Sequence, residues 1–189
     1  MFKFKPYGPF EVPSDDGLVP TDRLRAFWEG IEERHPGLQD AIGCYIFGMR
    51  AGKGSLPCYV GKTERASFKR EAFQPQKLLL YQKALKGRRK GTPLLYLIAL
   101  LTPTGKHRGA AKGRRGVGSI RKLEEMLIGT CLSRNSKLVN KSATKYLLLT
   151  QVPGYFNEPQ GARSHQAKEL ALLLGGKSKD RTSNAPIEE

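Results

Sequence analysis

Gly43-Cys44-Tyr45 is followed, fourteen residues after its tyrosine, by Tyr59-Val60-Gly61-Lys62. Two tyrosines on neighbouring strands, with a lysine close by, suit phosphate chemistry. A free tyrosine has a pKa of about 10, so a tyrosine base working at neutral pH needs a cation or a metal beside it. Lys62 is placed to supply that charge; its alternative is an ordinary surface lysine on a strand.

A carboxylate further along is the second informative residue. Ile120, Leu123, Leu127 and Cys131 recur at the spacing of one helix face. At about 100° per residue, Glu124 falls about 40° from Ile120, inside that apolar stripe, and Glu125 falls towards its edge or beyond. A carboxylate in an apolar stripe costs several kcal/mol unless it is paired, protonated or bound to a metal. Glu124 is therefore either a metal ligand at the floor of a cleft or half of a buried ion pair with one of the many arginines. Lys69 and Arg70 stand on one face with Ala66 and Phe73, and an arginine there suits bidentate binding of a phosphate.

Those side chains need elements to position them. Residues 43–49 and 56–62 read as strands, with turn residues Arg50 to Ser55 between them, which makes a hairpin. Tyr45 and Phe47 share one face of the first strand; Tyr59 and Gly61 share one face of the second. Thr63 or Glu64 opens a helix reaching about Leu85. Leu94 to Leu101, bounded by Pro93 and Pro103, reads as a buried central strand. A helix over 120–134, the segment Leu138-Val139-Asn140, a strand at 145–152 and a helix near 164–174 follow. Ahead of them all, Thr21-Asp22 can cap a helix over 22–35, with Leu24, Phe27, Trp28 and Ile31 as its stripe. Domain limits follow as an extension over 1–39, a central domain over 40–152 and a C-terminal helix with a polar tail over 153–189.

Charge narrows the partners. The chain has 189 residues and a net charge of +16. Residues 1–40 hold 5 basic and 8 acidic side chains, and residues 41–157 hold 23 basic and 4 acidic. A field of that sign draws polyanions, of which nucleic acid is the commonest. Residues 105–119 interleave glycines with Lys106, Arg108, Lys112, Arg114 and Arg115 and hold no carboxylate. They read as a mobile basic loop, either a nucleic-acid-binding arm or a solvated loop. No apolar run approaches the 18 residues of a membrane span. Met1 to Lys5 lacks the apolar stretch of a signal peptide, and the three cysteines have no metal-type spacing. The expectation is a cytoplasmic protein with reduced thiols.

Taken together, Gly43-Cys44-Tyr45, Tyr59-Val60-Gly61-Lys62, a basic residue near 70, Glu124 within Leu123-Glu124-Glu125-Met126-Leu127-Ile128, and Asn140 within Leu138-Val139-Asn140-Lys141 resemble the GIY-YIG nuclease superfamily. Its members serve bacterial nucleotide-excision repair, homing endonucleases and some restriction enzymes. The resemblance covers about residues 40–141. It implies an α/β (α+β) fold with a small three-stranded antiparallel sheet flanked by helices. It also implies DNA hydrolysis through one divalent ion, Mg²⁺ or Mn²⁺, with Glu124 as the ligand and Arg70 as the phosphate clamp. Tyr59 becomes the base, its pKa lowered by Lys62, with Tyr45 as an alternative base or an orienter, and Asn140 holds the local geometry.

Four features depart from the family pattern. Cys44 stands in the middle of the first triplet, at a core position. Lys69 occupies the place where many members have arginine, with Arg70 one later. Phe73 and Gln74 stand where members often carry a tyrosine or histidine, so that auxiliary role is either absent or filled from elsewhere, with Tyr81 and His107 as candidates. The spacings around Glu124 are long. DNA is the expected partner, RNA is not excluded, and oligomeric state is open. The competing readings are a non-catalytic nucleic-acid-binding module on the same fold and a structural RNA-binding protein.

Overall fold

The computed structural model describes residues 2–15, 17–52, 54–85, 91–110, 117–140, 152, 162 and 164–173. The expected strand at 145–152 falls outside them, Val152 excepted, as do Lys112, Arg114 and Arg115. The chain divides into two compact units, Met1–Lys145 and Tyr146–Glu189. In the second, helix α5 (His165–Leu173) starts at Ser164, whose hydroxyl accepts from the Ala167 amide at 3.2 Å.

The first unit is mixed α/β. Its strands are β1 (Phe4–Glu11), β2 (Gly43–Ala51), β3 (Gly54–Thr63) and β4 (Thr92–Leu100). They form one antiparallel sheet in the order β1-β4-β2-β3. The sheet has four strands where three were expected, and the extra one comes from the segment read as an N-terminal extension. Pro6 and Pro9 interrupt that segment and conceal it, because proline is excluded from central strands. Being at the edge, β1 tolerates both. Its register shifts between Tyr7 and Phe10, where Gly8 takes φ +112° and a Cβ would come 2.8 Å from the Leu95 carbonyl oxygen.

β2 and β3 make the expected hairpin, with a shorter connection. The ladder runs to Ala51 opposite Gly54, and Gly52 takes the left-handed φ of +58° that so tight a turn favours. β4 is an inner strand, as its unbroken apolar run predicts.

Helices cover both faces. On one face, Tyr45, Phe47 and Met49 of β2 with Leu95 and Leu97 of β4 pack against Trp28 and Ile31 of α1 (Leu24–Arg34). The same core takes in Phe68 and Ala72 around α2 (Phe68–Glu71) and Leu78, Tyr81 and Leu85 of α3 (Pro75–Leu85). On the other face, Cys44, Ile98 and Leu100 meet Ile120, Leu123 and Leu127 of α4 (Gly118–Arg134). The stripe on α1 is borne out, but Thr21 and Asp22 form part of a 3-10 turn over Thr21–Arg23, and no side chain caps the helix.

The single helix expected from Thr63 to Leu85 is instead three elements. β3 runs through Thr63, α2 is four residues long, and Pro75 opens α3. Proline lacks the amide that a helix interior requires but fits a first turn. Residues 105–110 are not a free loop either. The Arg108 amide donates to the Leu100 carbonyl, the Ile42 amide donates to the Arg108 carbonyl, and His107 bridges to Leu101.

Candidate functional site

β3 is the strand on which the site is built. Tyr59 points to the face of α3, whereas Lys62, opposite Cys44, points to the face of α4. Because β3 is an edge strand, both side chains reach a cavity of about 460 Å³ that wraps that edge. Tyr59, Lys62, Lys77, Arg121, Glu124 and Asn140 line it. Leu80 and Ile128 add apolar wall.

Glu124 is half-buried and paired. Its Oε2 receives the Lys62 ammonium at 2.6 Å, and the two side chains are 18% and 29% exposed. The partner expected for a buried ion pair was an arginine; it is the lysine of β3. Glu125, the neighbouring carboxylate, is exposed and pairs with Lys122 at 2.8 Å, and that hydrogen bond holds its pKa below the ordinary value.

Asn140 closes the edge of β3. Its side-chain amide donates to the Val60 carbonyl at 2.7 Å, and its Oδ1 accepts from the Val60 amide at 2.9 Å. The Val139 amide donates to the Cys58 carbonyl at 3.0 Å, and Asn135 Nδ2 donates to the Pro57 carbonyl at 2.6 Å. One short segment thus stands in for a fifth strand and fixes the backbone between Tyr59 and Gly61.

Tyr45 lies beneath this surface. It is fully buried and does not line the cavity, and among the described residues its hydroxyl makes no hydrogen bond of ordinary geometry, Tyr59 being its nearest polar influence. Its ring centroid is 6.2 Å from that of Tyr59, so the two tyrosines are diagonal neighbours. Burial raises the Tyr45 pKa, and a charge on Tyr59 raises it further. The Tyr59 pKa is raised as well, first by burial and then by the charge of Glu124. This differs from the expectation that Lys62 lowers it: the ammonium sits on Glu124, and the charges acting on Tyr59 are the carboxylates of Glu124 and Glu71.

Lys69 and Arg70 are exposed and do not line the cavity, so they do not point into it as their helical spacing suggested. Lys106 is exposed, Arg108 is half-buried, and neither lines the cavity. Nor do the two candidates for the auxiliary role reach it. Tyr81 is buried, stacks on Phe47 at 4.2 Å between centroids and donates to the Gly48 carbonyl at 2.8 Å. His107 hydrogen-bonds the Tyr7 hydroxyl at 2.7 Å and contacts the Pro36 carbonyl at 3.2 Å. Cys44 is fully buried and donates to the Ile120 carbonyl at 3.4 Å, in keeping with a core position.

Sequence reasoning missed Lys77 and Arg121. Lys77 pairs with Glu71 and lies 5.8 Å from the centre of the Tyr45 ring. No spacing rule joins Glu71 to Lys77 across the break at Pro75. Arg121 was legible: it precedes Glu124 by three residues on one helix and so shares its face.

Among the described residues no group of three or more His, Cys, Asp and Glu is gathered. Two described carboxylates line the cavity, Glu124 and the exposed Glu125, and Glu124 is the one that faces Lys62. The donor chemistry fits: a half-buried carboxylate that already holds an ammonium at 2.6 Å suits a hard, oxygen-ligated ion that keeps much of its shell as water and phosphate oxygens. Compared with protein-family models, with curated proteins and with solved structures, the chain matches none.

Proposed function

We propose that the chain is a metal-dependent endonuclease that hydrolyses DNA phosphodiester bonds at the β3 edge. One observation carries the reading: Tyr59 and Lys62, Glu124, and Asn140, from three separated stretches of sequence, line a single cavity. The large basic excess of residues 41–157 supplies the attraction for a polyanion.

Glu124 is the residue that would hold Mg²⁺ or Mn²⁺, and such an ion supplies charge stabilisation at the leaving oxygen. The Tyr59 hydroxyl, with its raised pKa, positions the attacking water through a hydrogen bond, and becomes a base only where positive charge is brought to it. Asn140 keeps the backbone of β3 in register under that hydroxyl. Lys62, once released from Glu124, remains in the cavity as a cation facing the phosphate.

Cleavage of supercoiled plasmid by wild type and Glu124→Ala, each with Mg²⁺, Mn²⁺ or EDTA, tests this. Cutting that requires metal and is lost in a variant that still binds DNA supports the nuclease. A second reading, a nucleic-acid-binding module without catalysis, is favoured by the ion pair that already neutralises Glu124. It predicts equal binding by both proteins and no cutting by either.

A further inference from the structure

Three cations line the cavity, and two of them have partners. Lys62 is held by Glu124, and Lys77 by Glu71. Arg121 is exposed and, among the described residues, makes no side-chain hydrogen bond or ion pair. It stands in the first turns of α4, whose start at Gly118 has no side-chain cap. Uncapped amides and the helix dipole add positive potential at that end. Arg121 is also three residues before Glu124, so an anion on its guanidinium lies next to the carboxylate that would hold the ion. A planar fork of donors that makes no hydrogen bond or ion pair among the described residues, and that lines the cavity, matches the oxygens of a phosphodiester.

We propose that Arg121 is the phosphate-binding arginine of this site, and that it takes one phosphodiester of a DNA strand in bidentate fashion. It fills the role that the family resemblance gives to Arg70, which lies on a four-residue helix outside the cavity. The proposal rests on the nuclease reading for its effect on rate and stands apart from it for binding.

Two measurements separate the two. The first is single-turnover cleavage of a labelled duplex by wild type, Arg121→Ala, Arg121→Lys and Arg70→Ala. Arg121→Ala should lower the rate at saturating DNA by about 100-fold, and Arg121→Lys should recover part of that loss. Duplex affinity should change by less than about threefold, because the basic excess of residues 41–157 still attracts the backbone. Arg70→Ala should cut at close to the wild-type rate. The converse pattern, with Arg70→Ala inactive and Arg121→Ala active, overturns the proposal. The second follows the arginine Nε–H signals of wild type during titration with the dinucleotide dTpdT. The Arg121 signal should move and the Arg70 signal should not. If wild type cuts no DNA with either metal, the nuclease reading fails while this titration still decides the site: an Arg121 signal that stays in place at the highest dTpdT concentration ends the proposal. The titration also decides if Arg121→Ala unfolds at lower urea than wild type.

Discussion

The ring of Tyr45 lies over Gly61, the residue opposite it across the hairpin. A Cβ added at Gly61 would sit 2.5 Å from the Tyr45 hydroxyl oxygen. The glycine of Tyr59-Val60-Gly61-Lys62 is therefore a packing requirement set by the tyrosine of Gly43-Cys44-Tyr45. The two triplets are two halves of one contact.

Gly61→Ala should then destabilise the protein by about 1–3 kcal/mol, the usual range for overpacking. Urea unfolding measures it. Adding Tyr45→Ala should make the glycine substitution less costly than it is alone, since the obstructing ring is gone. Costs that simply add would show that the ring is not the obstacle.

Lys62→Met should reduce stability by about 1–2 kcal/mol, because it leaves the Glu124 carboxylate, 18% exposed, without its partner. It should also tighten Mn²⁺ binding at Glu124, by about tenfold if displacing the ammonium costs about 1.4 kcal/mol. Calorimetric titration without DNA reads this. Unchanged or weaker Mn²⁺ binding would show that the lysine and the ion do not compete for the carboxylate.

Asn140→Ala removes both hydrogen bonds to Val60. A loss of about 1–3 kcal/mol is expected from the unpaired edge groups. Hydrogen exchange locates it: the Val60 amide should lose protection while amides of the inner strand β4 fall only by the global change. A Val60 amide as protected as in wild type would mean that another group satisfies the edge.

Alkaline pH should unfold the protein through its buried thiols and phenols. Burial pushes the Cys44 thiol up to about 12, with the Glu124 charge adding to it, and pushes Cys131 to about 11. Both lie above the ordinary thiol value of about 8.5. A folded pKa above the unfolded one gives stability that is full below about pH 8.5 and is lost as pH rises towards 12. The urea midpoint should fall across pH 9–11, and Cys44→Ala should flatten that fall by up to about 1.4 kcal/mol per pH unit. Equal slopes in the two proteins would rule out Cys44 as a source.

Much of the frame was legible because local patterns carried it. Turn residues between two short strands gave the hairpin, an unbroken apolar run gave β4, and a 3.6-residue stripe gave α4 with Glu124 inside it. β1 was hidden by Pro6 and Pro9, which only an edge position permits. The segment from Thr63 to Leu85 kept a helix-like pattern across the break at Pro75, so Lys69 and Arg70 were assigned to the wrong face. The partner of Glu124 was out of reach for another reason: Lys62 is 62 residues away, and the strand order that brings them together depends on the whole sheet. Spacing fixes which residues share a face of one element, not which elements meet.

The two outer strands differ in how their rims are finished. β1 carries Pro6, Gly8 and Pro9 and a register shift, so it offers few regular hydrogen-bonding groups. β3 has a single proline, Pro57, with a register shift beside it at Cys58, and among the described residues Asn135, Val139 and Asn140 cover its rim. The guard on β3 thus arrives after α4 in the chain, at the far end of the first unit. Until that segment docks, or in any form cut after Arg134, β3 is a bare template for pairing with another copy. Self-association, more than lost catalysis, is what such a truncation should reveal first.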